Sequence, residues 1–366
     1  MNPLRVAVIG AGHLGRIHAR LAAGLEEIDL VAVVDPVQAA RENVAQETKT
    51  RPVADYRELV GKIDAAIIAT PTTYHHAVGM ELLNCGLPLF IEKPIAITSR
   101  EANELVDCAR QKNVTLQVGH VERFNPALTA VANDVSDPKY IEATRTSGYT
   151  FRSTDIGVVM DMMIHDLDIV LSLAKSKVVD VQALGISVLG GHEDMASVRL
   201  TFASGCVANL TASRVSFQQK RMMSIFSASG SASVNFATFE ATVVKPSDTV
   251  MRREFRADKL SADERAYWKE NVFTQLLIRS QRDAQPINAI EEEQRDFVNA
   301  VRTGKAPRVD GAAGRDALAV AEMIVERMDE HAWDGSSVGR HGVLAMPMIA
   351  GSTQPVAEPH ERRRAG

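Results

Sequence analysis

The amino-acid sequence predicts an α/β protein with two sheets, the first of them parallel and doubly wound. Short apolar runs alternate with amphipathic helical segments through residues 4–118, and this alternation is typical of parallel strands joined by crossover helices. Between residues 178 and 244 the pattern changes to strand-like runs separated by Gly and Ser turns, which indicates hairpins. We therefore expect a doubly wound sheet followed by a second domain of different architecture.

Composition and charge exclude several classes of protein. The 366 residues are 45% hydrophobic and 24% charged, with a formal net charge of −5, unlike a protein that coats nucleic acid. Cys85, Cys108 and Cys206 lack metal-type spacing, which favours a reducing compartment. The N-terminus has no signal-peptide pattern, and no apolar run reaches the ~18 residues that span a membrane. We therefore expect a cytoplasmic protein that binds neither nucleic acid nor membrane.

A glycine-rich turn follows the first strand-like run. Leu4–Ile9 leads directly into Gly-Ala-Gly-His-Leu-Gly at residues 10–15, and a helical pattern comes next. In this setting G-x-G-x-x-G brings backbone N–H groups close to a dinucleotide pyrophosphate. The alternative is a glycine turn that serves only strand–helix packing. The cofactor contacts that we expect from this stretch and the next strand end are Gly10, Gly12, His13, Leu14 and Asp35.

Asp35 also indicates which dinucleotide is bound. It ends the second buried run, 20 residues after Gly15, where a carboxylate accepts hydrogen bonds from ribose hydroxyls and repels a 2′-phosphate. NAD is therefore the expected cofactor and NADP the less favoured one, although Arg41 is close enough in sequence to keep NADP open.

Polar clusters follow three further strand-like runs, at residues 70–75, 92–94 and 119–126. Because ligands bind beyond the carboxyl ends of parallel strands, we expect these clusters to surround the nicotinamide end of the cofactor. Lys93 stands out because Pro94 fixes the turn after it, so that its ammonium can polarise a substrate oxygen; the alternative is a solvated lysine. His75 and His120 suit packing as well as catalysis. The further cofactor contacts expected here are Thr70, Pro71, His75, Glu92 and Lys93.

A helical stretch at residues 158–173 is apolar around most of its circumference but carries one polar stripe. Asp161, His165, Asp168 and Ser172 follow one another at helical spacing, which places them on the same face. Buried carboxylates and imidazoles are costly unless they are paired or used. The stripe therefore either faces a wet cleft or a neighbour, or forms part of an active site.

These motifs together resemble the glucose–fructose oxidoreductase/inositol dehydrogenase/MocA (Gfo/Idh/MocA) family. The resemblance rests on the glycine turn with Arg16 and His18, on residues 69–72, on Glu92-Lys93-Pro94 and on Asp161-x-x-x-His165. It implies a Rossmann domain, then a domain built on an open, mostly antiparallel sheet with helices on one face. It also implies an active site between the domains, in which Lys93, Asp161 and His165 are catalytic.

A narrower resemblance concerns the substrate. Residues 119–126, 163–168 and 212–216 are similar to dehydrogenases that oxidise C3 of UDP-N-acetylglucosamine, so that an aminotransferase can install an amine for lipid A. A nucleotide sugar needs cations for its diphosphate; Arg123 and Arg214 are our first choices, and Arg145, Arg152 and Lys220 are further candidates. The expected substrate contacts are Lys93, Arg123, Asn125, His165 and Arg214.

We predict that NAD-dependent oxidation of a sugar hydroxyl proceeds with His165 as general base, Asp161 balancing its charge, and Lys93 stabilising the alkoxide. Whether Lys93 or His165 takes the proton stays open. The rivals are the same chemistry on an inositol or a UDP-uronic sugar, and a non-catalytic NAD-binding regulator. A metal hydrolase lacks a third ligand at plausible spacing, so no metal is expected.

The predicted organisation has three parts. Residues 1–122 form the NAD-binding domain, residues 123–333 the substrate-binding and oligomerisation domain, and residues 334–366, which are rich in Gly, Ser, Pro and Arg, a disordered tail. Amphipathic helices are expected at 290–301 and 312–328. The family resemblance implies a homodimer or homotetramer that associates through the open sheet face.

Overall fold

A computed structural model describes residues 2–151, 154–189, 191–333 and 342–344. The predicted tail therefore lies almost wholly outside the described residues, as does the candidate Arg152. Two sheets organise the chain, one of six strands and one of eight.

The first sheet is entirely parallel, with strand order β3-β2-β1-β4-β5-β6. This is the doubly wound order in which ligands bind where the strand order reverses, so the predicted fold of the first domain is confirmed. Its strands are Leu4–Ile9 (β1), Ile28–Val34 (β2), Arg51–Val53 (β3), Ala65–Ile68 (β4), Leu89–Glu92 (β5) and Leu116–Gly119 (β6). Its helices are His13–Gly24 (α1), Gln38–Thr48 (α2), His75–Asn84 (α3) and Ser99–Lys112 (α4).

Burial on both faces explains why the strands of the first sheet are apolar runs without alternation. Val6, Ala7 and Val8 of β1 have no solvent exposure. The edge strand β3 is the element that sequence patterning missed, because it is only three residues long and contains Pro52. A 3-10 turn, Tyr56–Leu59, follows β3.

The second sheet has the order β14-β13-β12-β11-β7-β10-β9-β8. Every pair is antiparallel except β7 and β10, which confirms the expected mostly antiparallel sheet. Its strands are Tyr140–Thr146 (β7), Val178–Ile186 (β8), Met195–Phe202 (β9), Val207–Ser213 (β10), Lys220–Ser227 (β11), Gly230–Asn235 (β12), Glu240–Pro246 (β13) and Leu277–Arg282 (β14). The helices of this part are Pro126–Val131 (α5), Ile164–Ala174 (α6), Asp248–Met251 (α7), Ala262–Asn271 (α8), Ala289–Thr303 (α9) and Gly311–Glu330 (α10).

The polar-striped helix is interrupted at its start. A π-helical turn, Val159–Met163, precedes α6, and Glu193 Oε1 accepts a hydrogen bond from the Val159 N–H at 3.0 Å. A π-turn inserts one extra residue into the helical register and often occurs at functional sites. Here it carries Asp161, whereas His165 lies in the regular helix.

The last two helices return to the first sheet. Phe297 of α9 packs edge-on against Phe90 of β5, with ring centroids 6.0 Å apart. In α10, Gly311 and Gly314 lie so close to Leu116 and Val118 of β6 that a Cβ on either glycine would clash. Helix α10 also packs against α4, α6 and β8, so one helix contacts both halves of the molecule.

Within the described ranges, no helix combines the length and the apolar character that crossing a membrane requires.

Candidate active site

The glycine turn after β1 is held by close backbone contacts. Gly10 has φ +102°, and a Cβ there would lie 2.5 Å from the carbonyl oxygen of Ala69. A Cβ on Gly15 would lie 1.9 Å from the carbonyl oxygen of Gly10. Gly12 differs, because nothing stands within 4 Å of its missing Cβ. The turn is thus closed on its inner side and open on the side where a cofactor would approach.

Asp35 anchors the tip of this turn. Its Oδ2 accepts a hydrogen bond from the Ala11 N–H, and its Oδ1 accepts one from the Val37 N–H, both at 2.8 Å. The carboxylate lines a cavity of about 580 Å³, which we call the turn cavity. Arg41 donates to the carbonyl oxygens of Asp35 and Pro36, so it lies beside the position that a 2′-phosphate would take.

A second cavity of about 780 Å³, the junction cavity, continues from the turn cavity and shares Ala69, Thr70 and Pro71 with it. Thr70 Oγ1 is buried without a hydrogen-bond partner among the described residues, as expected where a bound group completes the site. The polar residues that line the junction cavity are His13, Thr70, Thr72, Thr73, His75, Glu92, Lys93, Asp155 and Asp161. The predicted cofactor residues therefore line one continuous channel.

His75 ties two of the strand-end loops together. Its ring nitrogens lie 2.9 Å from the carbonyl oxygens of Pro94 and Thr70. Burial lowers the pKa of His75, and a neutral ring donates only one hydrogen bond. These contacts suit a residue that positions the walls of the cavity.

A third cavity of about 590 Å³, the outer cavity, shares Lys93 and Asp161 with the junction cavity. Lys93 Nζ donates to the backbone carbonyl of Asp161 at 2.8 Å and lies 3.5 Å from its Oδ1. The lysine is mostly buried and the aspartate is about one-third exposed. The outer cavity is lined by Lys93, Val121, Glu122, Arg145, Ser147, Gly148, Tyr149, Thr150, Asp161, Met162, His165, Gln219 and Arg221.

His165 reaches the outer cavity from α6. Burial, together with the positive charges of Lys93 and Arg145, lowers the pKa of His165 well below its usual range. The ring is therefore neutral at neutral pH and able to accept a proton. His165 Nδ1 is buried without a partner in the described chain, and the ring meets His120 edge-on at 6.3 Å between centroids. Burial lowers the pKa of His120 to about 3.

A buried ion-pair network supports the floor of the outer cavity. Arg145 donates to both carboxylate oxygens of Asp166, at 3.0 and 2.8 Å, and to Glu122 at 2.7 Å. All three side chains are at most one-tenth exposed. Burial raises the pKa of Asp166, although Arg145 opposes this shift. Burial by itself would lower the pKa of Arg145, but Asp166 and Glu122 outweigh it and raise that pKa.

Three of the residues expected to contact substrate are held by partners within the protein. Arg123 donates to Asp168 and to the Arg308 carbonyl. Asn125 caps α5 by accepting from the Ala127 N–H. Arg214 donates to Asp194 at 2.7 Å and to the Ile156 carbonyl at 2.8 Å. None of these three belongs to the lining of the outer cavity.

Arg221 is the cation that sequence reasoning missed. It lies directly opposite Arg145 in the β7–β11 register. It alternates with Met223 and Ile225, which are buried, so all three point to the helix-covered face of the sheet. That alternation was visible in the sequence and would have favoured Arg221 over Lys220, which points to the opposite face.

The rest of the polar stripe supports the helix rather than the cavity. Burial raises the pKa of Asp168 to about 7, although Arg123 opposes this shift. Ser172 donates to the Ile169 carbonyl within its own helix. Neither residue lines the outer cavity.

A second buried cluster lies behind Lys93. His18 Nε2 is 2.6 Å from Glu92 Oε1, and the Lys93 N–H donates to Glu92 Oε2. Gln294 Nε2 lies 3.1 Å from the His18 carbonyl and 2.9 Å from His18 Nδ1. The His18 carbonyl can only accept a hydrogen bond, so the Gln294 group beside it is the amide nitrogen, which donates. His18 Nδ1 therefore accepts from Gln294, and His18 Nε2 carries the ring proton and donates a hydrogen bond to Glu92. Glu293 completes a group whose geometry could also hold a metal ion.

The chain is similar to known proteins over most of its length. Residues 4–120 match the model of the oxidoreductase family with an NAD-binding Rossmann fold, and residues 127–233 match the GFO/IDH/MocA C-terminal domain. UDP-N-acetylglucosamine 3-dehydrogenase of Acidithiobacillus ferrooxidans is 34% identical over 326 residues, or 88% of this chain and 97% of that protein. The rhizopine catabolism protein MocA of Rhizobium meliloti is 28% identical, over 89% of this chain and 95% of its own.

Solved structures extend the similarity to the fold. The structure of the Acidithiobacillus ferrooxidans enzyme superposes with a TM-score of 0.79 at 32% identity, over 89% of this chain and 98% of that one. Levoglucosan dehydrogenase in complex with NADH and levoglucosan shares the fold at a TM-score of 0.75 and 18% identity, over 89% of this chain and 97% of its own. The resemblance noted in the sequence is confirmed: the chain belongs to the Gfo/Idh/MocA family of NAD-binding oxidoreductases.

Proposed function

We propose that the protein oxidises a secondary hydroxyl of a nucleotide sugar, with C3 of UDP-N-acetylglucosamine as the first candidate. The observation that carries this proposal is the position of Lys93 and Asp161, which line both the junction cavity and the outer cavity. A substrate in the outer cavity would meet the nicotinamide beside these two residues. The 34% identity to the UDP-N-acetylglucosamine 3-dehydrogenase favours that sugar over a free polyol.

The cofactor would lie along the channel of the turn and junction cavities. Gly12 would leave room for the pyrophosphate beside the backbone, and Asp35 would face the adenosine ribose. The buried Thr70 hydroxyl, which has no partner among the described residues, would be free to contact the cofactor. When bound, NAD supplies the hydride acceptor. The carboxylate of Asp35 disfavours a 2′-phosphate, which favours NAD over NADP.

The residues around the reacting carbon divide the remaining chemistry. His165 lines the outer cavity and is neutral, because burial lowers its pKa, so it can accept the hydroxyl proton. Lys93 stabilises the developing alkoxide and then the ketone oxygen. Asp161 holds Lys93 in place through its backbone carbonyl and its carboxylate. All three residues line the outer cavity.

The ketone formed at C3 is a substrate for transamination, so a partner aminotransferase and a place in the synthesis of an amino sugar of lipid A belong to this proposal. The three free cysteines fit a reducing compartment. A homodimer or homotetramer that uses the open sheet face is supported by Met222 and Phe226, which are exposed there.

The test is a substrate panel followed by nicotinamide absorbance. UDP-N-acetylglucosamine, UDP-N-acetylgalactosamine, a UDP-uronic sugar, free N-acetylglucosamine and myo-inositol are each mixed with enzyme and NAD, with NADP in parallel. We expect turnover with the first sugar and its loss in His165→Ala, which should still bind NAD. Turnover confined to inositol would contradict the proposal, and silence across the panel would favour a regulator.

A further inference from the structure

The outer wall of the outer cavity holds an arginine whose guanidinium has no hydrogen-bond or ion-pair partner among the described residues. Arg145 and Arg221 lie opposite each other on neighbouring strands, where like charges repel. Arg145 is held by Glu122 and Asp166. Arg221 is exposed and lines the cavity. An anion bound there would satisfy its donors and reduce the repulsion.

Aromatic side chains stand beside this arginine in two loops. Phe217, in the loop between β10 and β11, is fully exposed. Tyr149, in the loop after β7, lines the cavity and meets Phe151 edge-on at 5.0 Å. Phe151 is also largely exposed. Exposed aromatic rings beside a cationic group are the features that stack and anchor nucleotides.

Backbone contacts hold the two loops against each other. The Ser216 N–H donates to the Ser147 carbonyl at 3.0 Å, and Thr146 Oγ1 donates to the Gln218 carbonyl at 2.7 Å. Phe217 is four residues from Arg221, so the two lie within about 14 Å along the chain. Arg221 therefore lies on the lining that also contains Lys93, and Phe217 lies in the loop that leads directly to Arg221.

We propose that Arg221 binds the diphosphate and that Phe217 stacks on the base of a nucleoside diphosphate sugar. This inference rests on the proposed function, because it names the ligand groups that the same cavity holds beyond the sugar. Stacking recognises the flat face of the base and does not read its edges.

The test measures the affinity of UDP and of uridine for the free enzyme by calorimetry. In Arg221→Ala we expect UDP to bind about 10- to 100-fold more weakly, because a charge-assisted contact is lost, while uridine binding is unchanged. In Phe217→Ala we expect both ligands to weaken, by about 5- to 100-fold. Lys259→Ala and Phe273→Ala, two exposed residues outside the cavity lining, are the controls and should leave both affinities unchanged.

The outcomes separate this inference from the proposed function. If the wild type oxidises UDP-sugars but Arg221→Ala and Phe217→Ala bind UDP normally, only the subsite assignment is overturned. If the wild type binds no UDP and oxidises a free polyol, the proposed function fails and the subsite with it. If Phe217→Ala alters the molar mass from light scattering instead of UDP affinity, Phe217 contacts a second copy and the stacking role is overturned. NAD binding, followed by fluorescence, reports that each variant is folded.

Discussion

The cofactor channel and the outer cavity are built in different ways. The channel depends on a contiguous turn, in which residues 10–15 supply close backbone contacts and an open cradle. The outer cavity depends on side chains from five separate segments, near residues 93, 122, 145, 161–165 and 221. The glycine turn of the cofactor channel is encoded by one short motif, whereas the outer cavity forms only when the two sheets pack together. Lys93 and Asp161 belong to both.

Removing Lys93, one of the two residues that the channel and the outer cavity share, should have the largest effect. In Lys93→Ala, we expect kcat/KM to fall by about 10³- to 10⁴-fold, because the charge that stabilises the alkoxide is lost. Steady-state kinetics measures the fall, and NAD binding should persist. Lys112→Ala, on an exposed helix end, is the control. Activity within tenfold of wild type would remove Lys93 from the chemistry.

The next largest effect should come from the floor of the outer cavity. Arg145→Met leaves the Glu122 and Asp166 carboxylates buried without their shared partner. We expect the free energy of unfolding to fall by about 3–5 kcal/mol, measured by urea denaturation. Arg199→Met, an exposed arginine of β9, should change it little. An unchanged value for Arg145→Met would mean that the network is not structural.

Two glycines of the cofactor turn should respond in opposite ways. Gly10→Ala forces a side chain into a positive φ and against the Ala69 carbonyl, which we expect to cost about 2 kcal/mol or more of stability. Gly12→Ala meets nothing within 4 Å, so stability should persist while NAD affinity falls. Thermal denaturation and NAD titration, run on both variants, separate the two effects. Equal loss of stability in both would contradict the described turn.

The smallest effect concerns pH. Burial, reinforced by the charge of Glu92, raises the pKa of Glu293 well above its usual value. The folded state therefore keeps a proton that the unfolded state loses, so this residue's contribution to stability decreases as the pH rises from the unfolded pKa toward the folded one. In Glu293→Gln, that decrease should disappear. The plot of unfolding free energy against pH should then be shallower above pH 5, though not flat, because burial also raises the pKa of Asp166 and Glu193.

The contrary result for Glu293 would be an unchanged slope. If the wild type instead contains one metal ion per chain by elemental analysis, and loses it in Glu293→Gln, then His18, Glu92 and Glu293 form a metal site and the proton assignment is wrong. Glu291→Gln, at the exposed start of α9 and paired with Arg295, serves as the control.

The contrast between the local glycine turn and the outer cavity, which distant segments assemble, explains which site residues the sequence could predict. The glycine turn, Asp35 and Lys93 were predictable because motif spacing and strand ends determine their positions. Arg123 and Arg214 were predicted to face the substrate, but their partners Asp168 and Asp194 lie 45 and 20 residues away, and motif context does not reveal such pairings. The local alternation of β11 favours Arg221 over Lys220, but its position opposite Arg145 required the register of β11 against β7, across 76 positions, which no local pattern supplies.

The return of α9 and α10 to the first sheet has a consequence for how the chain matures. Phe90, Leu116 and Val118 receive their covering residues from Phe297, Gly311 and Gly314, which a ribosome makes roughly 200 residues later. Until then the nascent dinucleotide-binding part exposes apolar surface, so we expect it to need chaperone protection during synthesis. A premature stop between residues 123 and 288 should abolish NAD binding as well as substrate binding, although every residue expected to contact the cofactor would already be present.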